Sequence, residues 1–587
     1  MVYQKKADFN QWAEEFAISP IVARIIRNRD IVTEQQVREY LYGGQECLHS
    51  PLLFKDMEKA VHIIEEKIEA NQKIRIINDY DIDGVCSGYI LYDGIKRLGG
   101  KVDIRTPERL KDGYGLNIRL IEEALEDGVD TIVTCDNGIA AKEQIAYGKK
   151  RGMTIVVTDH HEVPFEEQEG EKVFVLPPAD AIINHKQADC PYPFKELCGA
   201  AVAYKLISCL YEKRGKEMPE YREFVAIATI GDVMELRGEN RILTKQGLQV
   251  LQYTQNVGLR ALMDVLEIKP EQIDSETIGF QLGPCINAVG RLDHAKKAVD
   301  LFAASSYPIA YQKAVDMKDW NEQRKKLTEE GTVEAVNQVE QGGWKKDPIY
   351  VIYLPDCHES LAGIIAGRMR EQYNRPVFVF TDTENTDEEG SPLVKGSGRS
   401  IEGYSMYEGM HECSELLYKF GGHKGAGGLS LKQDNLEPFR KKINALCRLK
   451  PKDFVQQIWI DAAAPFSYMN LKLVKCLEVL QPTGNGNEKP CFAQKHIHLL
   501  KLDVYGESRK IMRMKVQGED GCVCTGVYFN ARILLEEMKQ HYGEEEVEKA
   551  LKGTNNKIFF QAVYMPKKNE FRGNVSVQLE FTRIQLE

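Results

Sequence analysis

The sequence predicts an α/β protein whose main domain has a mostly parallel sheet, followed by a long helix, a smaller α/β domain and a C-terminal β-rich domain. Short apolar runs alternate with helix-like segments from about residue 70, a charged segment follows near residue 314, and strand-like runs dominate after about residue 451. The chain of 587 residues is too long for one hydrophobic core, and three or four domains fit ordinary domain sizes.

Residues 1–50 are predicted to form amphipathic helices. The segments SPIVARIIRNR and TEQQVREYLYG have apolar residues at helical spacing, and Thr33 is placed to cap the second helix. The first residues contain no apolar run typical of export signals, and no apolar run is long enough to cross a bilayer. We therefore expect a cytoplasmic protein with no membrane partner.

The composition narrows the classes of function. With 43% hydrophobic and 28% charged residues, the chain is typical of a soluble globular protein. Its 14 cysteines are scattered without a CxxC motif, which favours reduced, buried thiols over disulfides or a zinc site. A net charge of -11 argues against coating nucleic acid by bulk attraction, but it leaves room for a narrow basic groove.

Four predicted strands of the first domain are followed by acidic residues or histidines. The predicted strands of this domain are IRIIN, KVDIR, TIVTC, TIVVT, AIIN and FVAIATIG. Because the carboxyl ends of parallel strands meet in one crevice, we expect the side chains that follow them to converge. They are Asp79, Asp81 and Asp83 after IRIIN, Asp136 after TIVTC, Asp159, His160 and His161 after TIVVT, and Asp232 after FVAIATIG.

Such a group of carboxylates repels itself unless a cation neutralises it. Oxygen ligands with one or two imidazoles suit Mn²⁺ or Mg²⁺. The number of candidate ligands favours a pair of ions over a single ion. Such a pair is typical of enzymes that catalyse in-line displacement at phosphorus. Taken singly, Asp136 and Asp232 also fit helix caps, DxDxD fits a calcium loop, and adjacent histidines fit a polar surface. The joint pattern predicts phosphoester hydrolysis.

The second half of the chain predicts three further elements. The charged segment KAVDMKDWNEQRKKLTEEGTVEAVNQVEQ predicts a long solvated helix joining two lobes. Strand-like IYVIYL and PVFVFT and the glycine-rich KFGGHKGAGGLSL belong to the smaller lobe. The segments IWIDA, HIHLLKLDVYG, KIMRMKV, VCTGVYF, KIFFQAVYM and NVSVQLEF then predict five or six short strands of a barrel or sandwich of the oligonucleotide-binding type.

Several motifs resemble a known enzyme superfamily. DYDIDG, CDNGI, TDHHEVP and GDVMEL are similar to the four motifs of the DHH phosphoesterases, and GGHKGAGG resembles the signature of the associated DHHA1 domain. PERLKDGYGL, CPYPFKELCGAAVAYKL, GPCINAVGRLDHA, WNEQR, HESLAGIIAGR and GSGRS resemble the RecJ single-stranded-DNA-specific exonucleases within that superfamily.

The resemblance implies five segments. They are an N-terminal helical segment at 1–50, a DHH catalytic domain at 51–304, a connecting helix at 305–345, a DHHA1 substrate-binding domain at 346–450 and an OB-like nucleic-acid-binding domain at 451–587. It also implies 5′-to-3′ hydrolysis of single-stranded DNA to 5′-mononucleotides in repair and recombination, with two Mn²⁺ or Mg²⁺ ions. By analogy, a single-strand-binding protein and a RecQ-type helicase are expected partners.

Roles for individual residues also follow from the resemblance. The implied metal ligands are Asp81, Asp83, Asp136, His160 and Asp232, with Asp136 bridging. Asp79 and Asp159 would act at the edge of the metal site, and His161 would face the scissile phosphate. The implied DNA-binding residues are Arg109, Tyr114, Asn287, Arg291, Ser397, Arg399, Gly421, Gly422 and His423.

The chain departs from the family pattern at two positions. Cys285 stands where many relatives have arginine, which would remove a phosphate contact, and Thr483 stands where an aromatic residue is common. Two other functions remain open: a DHH phosphodiesterase for short oligonucleotides, phosphoadenosine phosphate or cyclic dinucleotides, and a non-catalytic DNA-binding relative. The length of the chain argues against the first, and the complete set of carboxylates argues against the second.

Overall fold

The structure, a computed structural model, describes residues 1–109, 111–168, 171–387, 390–506, 510–571 and 573–587. The chain divides into two compact units. Met1–Leu48, Glu235–Lys245 and Gln457–Glu587 form the first, and His49–Met234 and Gln246–Gln456 form the second. Among the described residues, no helix is both long enough and apolar enough to cross a membrane.

In the described part of the first 304 residues, helices and strands alternate from β1 to β4, and helices alone precede β1 and follow β7. The helices are α1 (Phe9–Glu15), α2 (Pro20–Asn28), α3 (Glu34–Tyr42), α4 (Met57–Glu69), α5 (Ile82–Arg97), α6 (Ile118–Glu126), α7 (Lys142–Lys150), α8 (Gly199–Lys213), α9 (Arg222–Gly231), α10 (Gly238–Leu251), α11 (Val257–Val265), α12 (Ser275–Thr277), α13 (Gly283–Leu292) and α14 (Lys296–Phe302). The strands are β1 (Lys73–Asn78), β2 (Lys101–Arg105), β3 (Thr131–Cys135), β4 (Thr154–Thr158), β5 (Phe165–Gln168), β6 (Glu171–Phe174) and β7 (Ala181–Ile183).

The remaining residues contain more strand. The helices are α15 (Tyr307–Gln341), α16 (Ala362–Tyr373), α17 (Met406–His411), α18 (Leu436–Ala445), α19 (Leu471–Leu477), α20 (Ala531–Tyr542) and α21 (Glu544–Lys552). The strands are β8 (Tyr350–Tyr353), β9 (Val377–Thr386), β10 (Pro392–Arg399), β11 (Lys419–Gly422), β12 (Ala426–Lys432), β13 (Ala462–Ala463), β14 (Phe492–Tyr505), β15 (Ile511–Gln517), β16 (Val523–Tyr528), β17 (Phe559–Phe571) and β18 (Asn574–Leu586).

The second unit contains the predicted parallel sheet, with strand order β2-β1-β3-β4-β7. Every neighbouring pair is parallel, and Asn78, Cys135 and Thr158, the last residues of β1, β3 and β4, lie in one row. The strands are apolar on both faces because helices cover both, as expected for a parallel sheet. The side chains that follow the three strands therefore start side by side.

One predicted strand is wrong. FVAIATIG forms most of helix α9, and Asp232 is the residue at its carboxyl end. Nearly every position of the run is buried, so its apolar residues show neither the period of a strand nor that of a surface helix. A short, continuous apolar run fits both structures, and only its packing between neighbouring elements decides between them.

A second sheet in the same unit has strand order β11-β12-β10-β9-β8. On one face, Val377 and Val379 pack under helix α16 in a core with Ile365 and Met369. On the other face, phenylalanines and leucines of β9 and β12 pack against α18. The predicted long helix is α15, which begins six residues before the charged segment that starts at Lys313, and Pro308 fits its first turn.

The C-terminal part of the first unit is a closed barrel. Its strands follow the order β14-β15-β16-β18-β17, and β14 also pairs with β17, which closes the sheet. In β15, Met512, Met514 and Val516 point inward, while Arg513 and Lys515 are exposed. The predicted barrel of the oligonucleotide-binding type is therefore confirmed.

The sequence prediction for this region missed several features. Helices α20 and α21 lie between β16 and β17, although only strands were predicted there. The predicted strand IWIDA is reduced to β13, a pair of residues beside the long strand β14. The segment RILLEEMKQ has helical periodicity, but strong strand signals lie on either side of it.

The N-terminal helices belong to the same unit as the barrel and share its core. Thr33 caps α3 as predicted, in a capping box with Gln36. The segment Glu235–Lys245 is fixed in this unit by Arg241, whose buried guanidinium lies 3.8 Å from the Tyr40 ring centre and donates to backbone carbonyls of residues 40 and 479–482. This arginine stabilises three chain segments at once.

Candidate active site

Acidic residues follow three neighbouring strands of the parallel sheet. Asp79, Asp136 and Asp159 come directly after β1, β3 and β4, and all three are almost fully buried. Asp136 has a left-handed backbone with φ of 59°, a conformation that aspartate tolerates better than most residues. The strand ends bring these three carboxyl groups together, as the sequence predicted.

Asp81 and Asp83 start helix α5. Asp81 is its N-cap, and its Oδ1 accepts hydrogen bonds of 3.0 Å from the backbone N–H groups of Asp83 and Gly84. The Asp83 carboxylate accepts from the N–H groups of Gly199 and Ala200 at 2.6 and 2.7 Å, at the start of helix α8. Backbone donors thus fix the positions of both acids. Asp81 is at the same time the N-cap of α5 and a member of the acidic cluster.

His160 lies in the middle of the cluster. Its Nε2 is 3.0 Å from Asp136 Oδ1, 3.6 Å from Asp83 Oδ2 and 3.7 Å from Asp232 Oδ2. Asp232 therefore reaches the crevice from a helix end instead of a strand end. Burial and the neighbouring His161 lower the pKa of His160 to about 3, which leaves the imidazole neutral at physiological pH. A neutral imidazole has a lone pair for a metal ion.

The donor atoms form three overlapping groups within 4.8 Å. They are Asp136, His160 and His161; Asp83, His160 and Asp232; and Asp79, Asp81 and Asp136. Asp136 and His160 each belong to two groups. Asp79 Oδ1, Asp136 Oδ1 and His160 Nδ1 are buried without a hydrogen-bond partner, which costs free energy unless a ligand compensates.

The electrostatics of the cluster favour a bound cation. Burial, followed by repulsion from neighbouring carboxylates, raises the pKa of Asp79, Asp83 and Asp136 well above the usual value. The same causes raise the pKa of Asp232 to about 7. Carboxylate oxygens with imidazole nitrogen suit Mn²⁺ or Mg²⁺, and the residues present fit such ions.

Asp159 has a different environment from the other acids. Its oxygens accept hydrogen bonds from the backbone N–H groups of Ile139, His160 and His161 and from the His161 ring, at 2.8–3.1 Å. These bonds overcome burial and lower the pKa of Asp159 to about 2, while Asp159 raises the pKa of His161 to about 9. Asp159 therefore orients His161, whose side chain is 45% exposed.

Tyr114 links the acidic cluster to a neighbouring cavity. Its hydroxyl donates to the backbone carbonyl of Asp136 at 3.0 Å and lies 3.2 Å from the His161 ring nitrogens. The cavity, of about 760 Å³, is also lined by Arg109, Arg291 and Arg399. The cavity therefore borders the acidic cluster at Tyr114 and at Tyr80, which lies between Asp79 and Asp81 in the chain.

The arginines of this cavity have few partners. Arg291 donates to the Ser360 carbonyl at 2.7 Å, Arg399 donates to Ser397 Oγ and the Gly398 carbonyl, and Arg109 lies over the Tyr80 ring. Burial and the neighbouring guanidinium groups lower the pKa of Arg291 to about 9 and also lower that of Arg399. In the described part of the chain, no carboxylate forms an ion pair with any of the three. Such a cluster suits an anion.

The structure places the predicted glycine-rich loop in a β-hairpin. Gly421 and Gly428 are paired across β11 and β12 and line the cavity. Gly422 has a φ of 144° that only glycine adopts easily, and it is not among the lining residues. His423 lies in the turn, exposed, and its Nδ1 accepts a hydrogen bond from the Gly425 N–H.

Two further positions differ from the expected arrangement. Asn287 Oδ1 accepts a 2.9 Å hydrogen bond from the Ile82 N–H, so this side chain holds the start of α5 beside the acids and does not line the cavity. Cys285 is fully buried, and its sulfur accepts from Asn321 Nδ2 at 3.2 Å. The thiol therefore packs against helix α15, where Asn321 in turn accepts two hydrogen bonds from Arg324.

Sequence reasoning missed Gly363 at the start of α16. A Cβ atom there would lie 2.8 Å from Arg399 Nη2 and 2.9 Å from Ser397 Oγ, so only glycine leaves these polar atoms open to the cavity. The quoted motif HESLAGIIAGR contained this residue, but the close approach depends on strand β10, which is distant in sequence.

Three segments of the chain match known domain families. They are the DHH family N-terminal domain at residues 73–229, the DHHA1 domain at 346–449 and the RecJ OB domain at 460–583. In fold, the chain is similar to the crystal structure of RecJ from Thermus thermophilus in complex with Mn²⁺, with a TM-score of 0.80 and 23% identity over 100% of this chain and 79% of that chain. A crystal structure of exonuclease RecJ bound to manganese matches at a TM-score of 0.59 and 29% identity, over 69% and 98%.

Curated relatives extend over nearly the whole chain. The single-stranded-DNA-specific exonuclease RecJ of Bacillus subtilis is 32% identical over 89% of this chain, which spans 64% of that relative's length. The RecJ proteins of Haemophilus influenzae and Escherichia coli are 31% and 30% identical, each with 95% of its length matched. With these matches and the three domains in the same order, the chain belongs to the RecJ family of DHH phosphoesterases.

Proposed function

We propose that the protein is a metal-dependent 5′-to-3′ exonuclease that hydrolyses single-stranded DNA to 5′-mononucleotides in DNA repair and recombination. The observation that carries this proposal is a cavity whose wall contains arginines without carboxylate partners and which borders the buried acidic cluster at Tyr80 and Tyr114. The acidic cluster suits metal ions, and the arginines suit a phosphate. The activity named for relatives from Bacillus subtilis and Haemophilus influenzae, single-stranded-DNA-specific exonuclease, supports the same function.

Two Mn²⁺ or Mg²⁺ ions are the proposed cofactors, held by Asp81, Asp83, Asp136, His160 and Asp232. The place of Asp136 in two donor groups supports a shared ligand. When bound, such ions supply positive charge to the acids and polarise the scissile phosphate. Asp79 borders the same groups, and its unpartnered oxygen is available to hold a proton or a water molecule.

The proposed role of His161 is to contact the scissile phosphate. Because Asp159 raises the pKa of His161 to about 9, the ring is charged at neutral pH and can donate to a phosphate oxygen. Tyr114 contacts the same ring and fixes its position from the cavity side. Asp159 acts through His161, so it is a positioning residue in this scheme.

Binding of the strand's 5′ end explains direction and product size. We propose that Arg109, Arg291, Ser397 and Arg399 bind the 5′-terminal phosphate, while Tyr114 lies between them and the acids. The next phosphodiester bond along the strand then meets the acidic cluster, so each cut releases one nucleotide. Gly421 lines the cavity and so forms part of the proposed path of the strand. Asn287 acts by holding Ile82, and roles for Gly422 and His423 at the hairpin turn remain proposals.

We propose that the chain has five functional segments, at 1–50, 51–304, 305–345, 346–450 and 451–587. The barrel of the first unit is the proposed binding domain for single-stranded DNA, which is supported by the exposed Arg513 and Lys515 on β15. A cytoplasmic location and partnership with a single-strand-binding protein and a RecQ-type helicase are proposed by analogy with the family.

A cleavage assay tests the proposed function. The protein is incubated with Mn²⁺ and 3′-labelled DNA, single-stranded or duplex, beside a short RNA. Loss of the label only at the end of digestion, and only from single-stranded DNA, is the expected result. Preferred cleavage of short RNA would support a phosphodiesterase for short oligonucleotides instead.

The matched control variant is Asp136→Asn, which keeps the shape and the left-handed backbone of Asp136. It should bind single-stranded DNA and leave every substrate intact, which excludes a contaminating nuclease. If the unaltered protein binds DNA and cleaves none of these substrates, the non-catalytic interpretation is correct.

A further inference from the structure

We propose that the cavity contains a second nucleotide subsite beyond the arginines, formed by Lys395, Ser430 and Lys419. A strand with a 5′-hydroxyl end uses this subsite, slides one nucleotide deeper, and loses a dinucleotide in its first cut. This inference rests on the proposed exonuclease function and specifies which strand ends the same site accepts.

The geometry of the second sheet places this subsite. Along β10, Arg399, Ser397 and Lys395 alternate with buried residues and therefore share one face. Ser397 is paired with Gly428, and Lys395 with Ser430, which in turn is paired with Lys419 of β11. Lys395 is two residues from Ser397 on β10. The row of paired residues that contains the two lysines is therefore about 6.6 Å along the strand from the row that contains Ser397.

The same face is covered at one side and open at the other. Above β8 and β9, helix α16 packs on Val377 and Val379. Above β10, β12 and β11, the face is made of lysines, serines and glycines, and it forms a wall of the cavity. Neither Gly421 nor Gly428 has an atom within 4 Å of an added Cβ position, so this part of the wall is free of packing.

The charges of the row suit a nucleic-acid backbone. Lys395 is exposed and lies 2.9 Å from Glu359, which also lines the cavity. Lys419 is exposed and, within the described ranges of the chain, forms no ion pair with a carboxylate. Tyr418, which is 51% exposed, offers a ring to a base beside them.

The size of the cavity allows an additional nucleotide. Its volume of about 760 Å³ is more than twice the roughly 300 Å³ at which small-ligand pockets begin. One nucleotide between the acids and the arginines would leave the region of Lys395, Asn385 and Lys419 unfilled.

The half-buried Arg291 and Arg399 decide which register a strand takes. Arg291 and Arg399 repel each other and lack carboxylate partners, so binding is best when a phosphate lies between them. A 5′-phosphorylated strand supplies its terminal phosphate there. A 5′-hydroxyl strand supplies a phosphate only by advancing one nucleotide, which moves its terminal nucleoside to Lys395 and Lys419.

The chemistry of the cut is unchanged in this register. The oxygen of water bonds to phosphorus, the bond from phosphorus to O3′ breaks, and the 3′-hydroxyl leaves with a proton. A 5′-hydroxyl strand then loses a dinucleoside monophosphate, and the shortened strand carries a 5′-phosphate. All later cuts release mononucleotides, so only the first product differs.

The experiment compares one oligonucleotide sequence with a 5′-hydroxyl or a 5′-phosphate end, in Mn²⁺, and identifies early products by mass spectrometry. From the 5′-hydroxyl strand, the dinucleoside monophosphate should exceed the free nucleoside by about tenfold, the scale of one hydrogen-bonded charged contact. The 5′-phosphorylated strand should release the mononucleotide first.

A charge variant and its control sharpen the test. Lys419→Glu should lower the ratio of dinucleotide to nucleoside severalfold, whereas Lys441→Glu, an exposed lysine on α18, should leave it unchanged. Ser430→Phe, which fills the row, should shift the first product to the nucleoside. If Ser430→Phe does not fold, Lys419→Glu still gives the answer, because its side chain is exposed and outside the core.

Two outcomes would contradict the proposal in different ways. Free nucleoside as the main first product from the 5′-hydroxyl strand, with normal digestion of the phosphorylated strand, removes the second subsite and leaves the exonuclease function intact. Absence of cleavage of both strands removes the exonuclease function itself. A ratio unchanged in both Lys419→Glu and Ser430→Phe would show that the extra nucleotide lies elsewhere.

Discussion

Arginines at two places in the same unit have opposite electrostatic environments. Arg75 on β1 is fully buried and pairs with Asp103 at 2.8 Å and Asp127 at 2.6 Å, and these bonds raise its pKa above the ordinary arginine value. Arg291 and Arg399 are half-buried, and desolvation together with neighbouring guanidinium groups lowers their pKa values. The first group is neutralised by the protein, and the second is not.

This difference separates stabilising charges from binding charges. A charge that the chain itself neutralises stabilises the fold, whereas a buried charge without a partner weakens the fold until a ligand arrives. The acidic cluster is the negative counterpart of the second arginine group, because Asp83 and Asp136 repel each other without a cation. Loss of a neutralised charge should therefore lower stability, whereas loss of a charge without a partner should lower activity without lowering stability.

The largest expected effect is at the acidic cluster. Asp136→Asn and Asp136→Ala should lower kcat at least about 1000-fold, or about 4 kcal/mol in activation free energy, because both remove a carboxylate shared by two donor groups. In metal-free protein, Asp136→Asn should raise Tm because a repelling charge is lost. Near-normal turnover in either variant would refute the shared-ligand role, and a lower metal-free Tm for Asp136→Asn would refute the account of stored repulsion.

The next effect compares the two arginine groups directly. Arg399→Ala should raise KM for 5′-phosphorylated single strands about 10- to 100-fold, with little change in Tm, because a charged contact to the substrate is lost. Arg75→Met should leave KM unchanged and reduce the free energy of unfolding by roughly 2–3 kcal/mol, since Asp103 and Asp127 lose their partner but are partly exposed. Steady-state kinetics and thermal denaturation give both values, and the reverse pattern would overturn the distinction.

Metal removal should make stability depend on pH. The folded-state pKa of Asp232 is about 7 and its ordinary value is 3.8, so the folded protein binds this proton more tightly than the unfolded chain does. The stabilisation that comes from this proton on Asp232 is therefore fully present below about pH 4 and is lost as the pH rises through about 7. In EDTA, Tm should fall by about 5 °C between pH 5 and pH 8, and Mn²⁺ should restore it at pH 8.

A flat profile in EDTA would contradict the repulsion within the acidic cluster. The matched control is Asp136→Asn, whose fall in Tm over the same range should be smaller because one interacting carboxylate is absent.

The smallest effect is expected at Cys285. Because its thiol is buried against Asn321 and Cys285 does not line the cavity, Cys285→Ser should change KM for single-stranded DNA less than about twofold. The side chain at position 285 would then make no contribution to the binding of DNA by the arginines of the cavity. A KM increase as large as that of Arg399→Ala would instead place the residue on the path of the strand.

Much of the fold was predictable because local patterns carried it. The strands β1, β3 and β4 follow from short apolar runs bounded by turns, and α3 follows from Thr33 and a helical period. Helices α20 and α21 are amphipathic, so their period can be read from the sequence, whereas the error at FVAIATIG has a physical cause. Local patterns fix the period of exposed or half-exposed elements, but they leave a fully buried run ambiguous until its neighbours are known.

The sequence by itself determined the set of acids, because three carboxylates after neighbouring parallel strands must meet wherever the helices pack. Only the tertiary structure decided the charge environment of each one: backbone N–H groups and His161 compensate Asp159, whereas burial and neighbouring carboxylates surround Asp136. It also decided that Gly363 lies against Arg399 and that Cys285 is turned inward. Charge compensation and close approach depend on distances between residues far apart in the chain, which residue order alone does not specify.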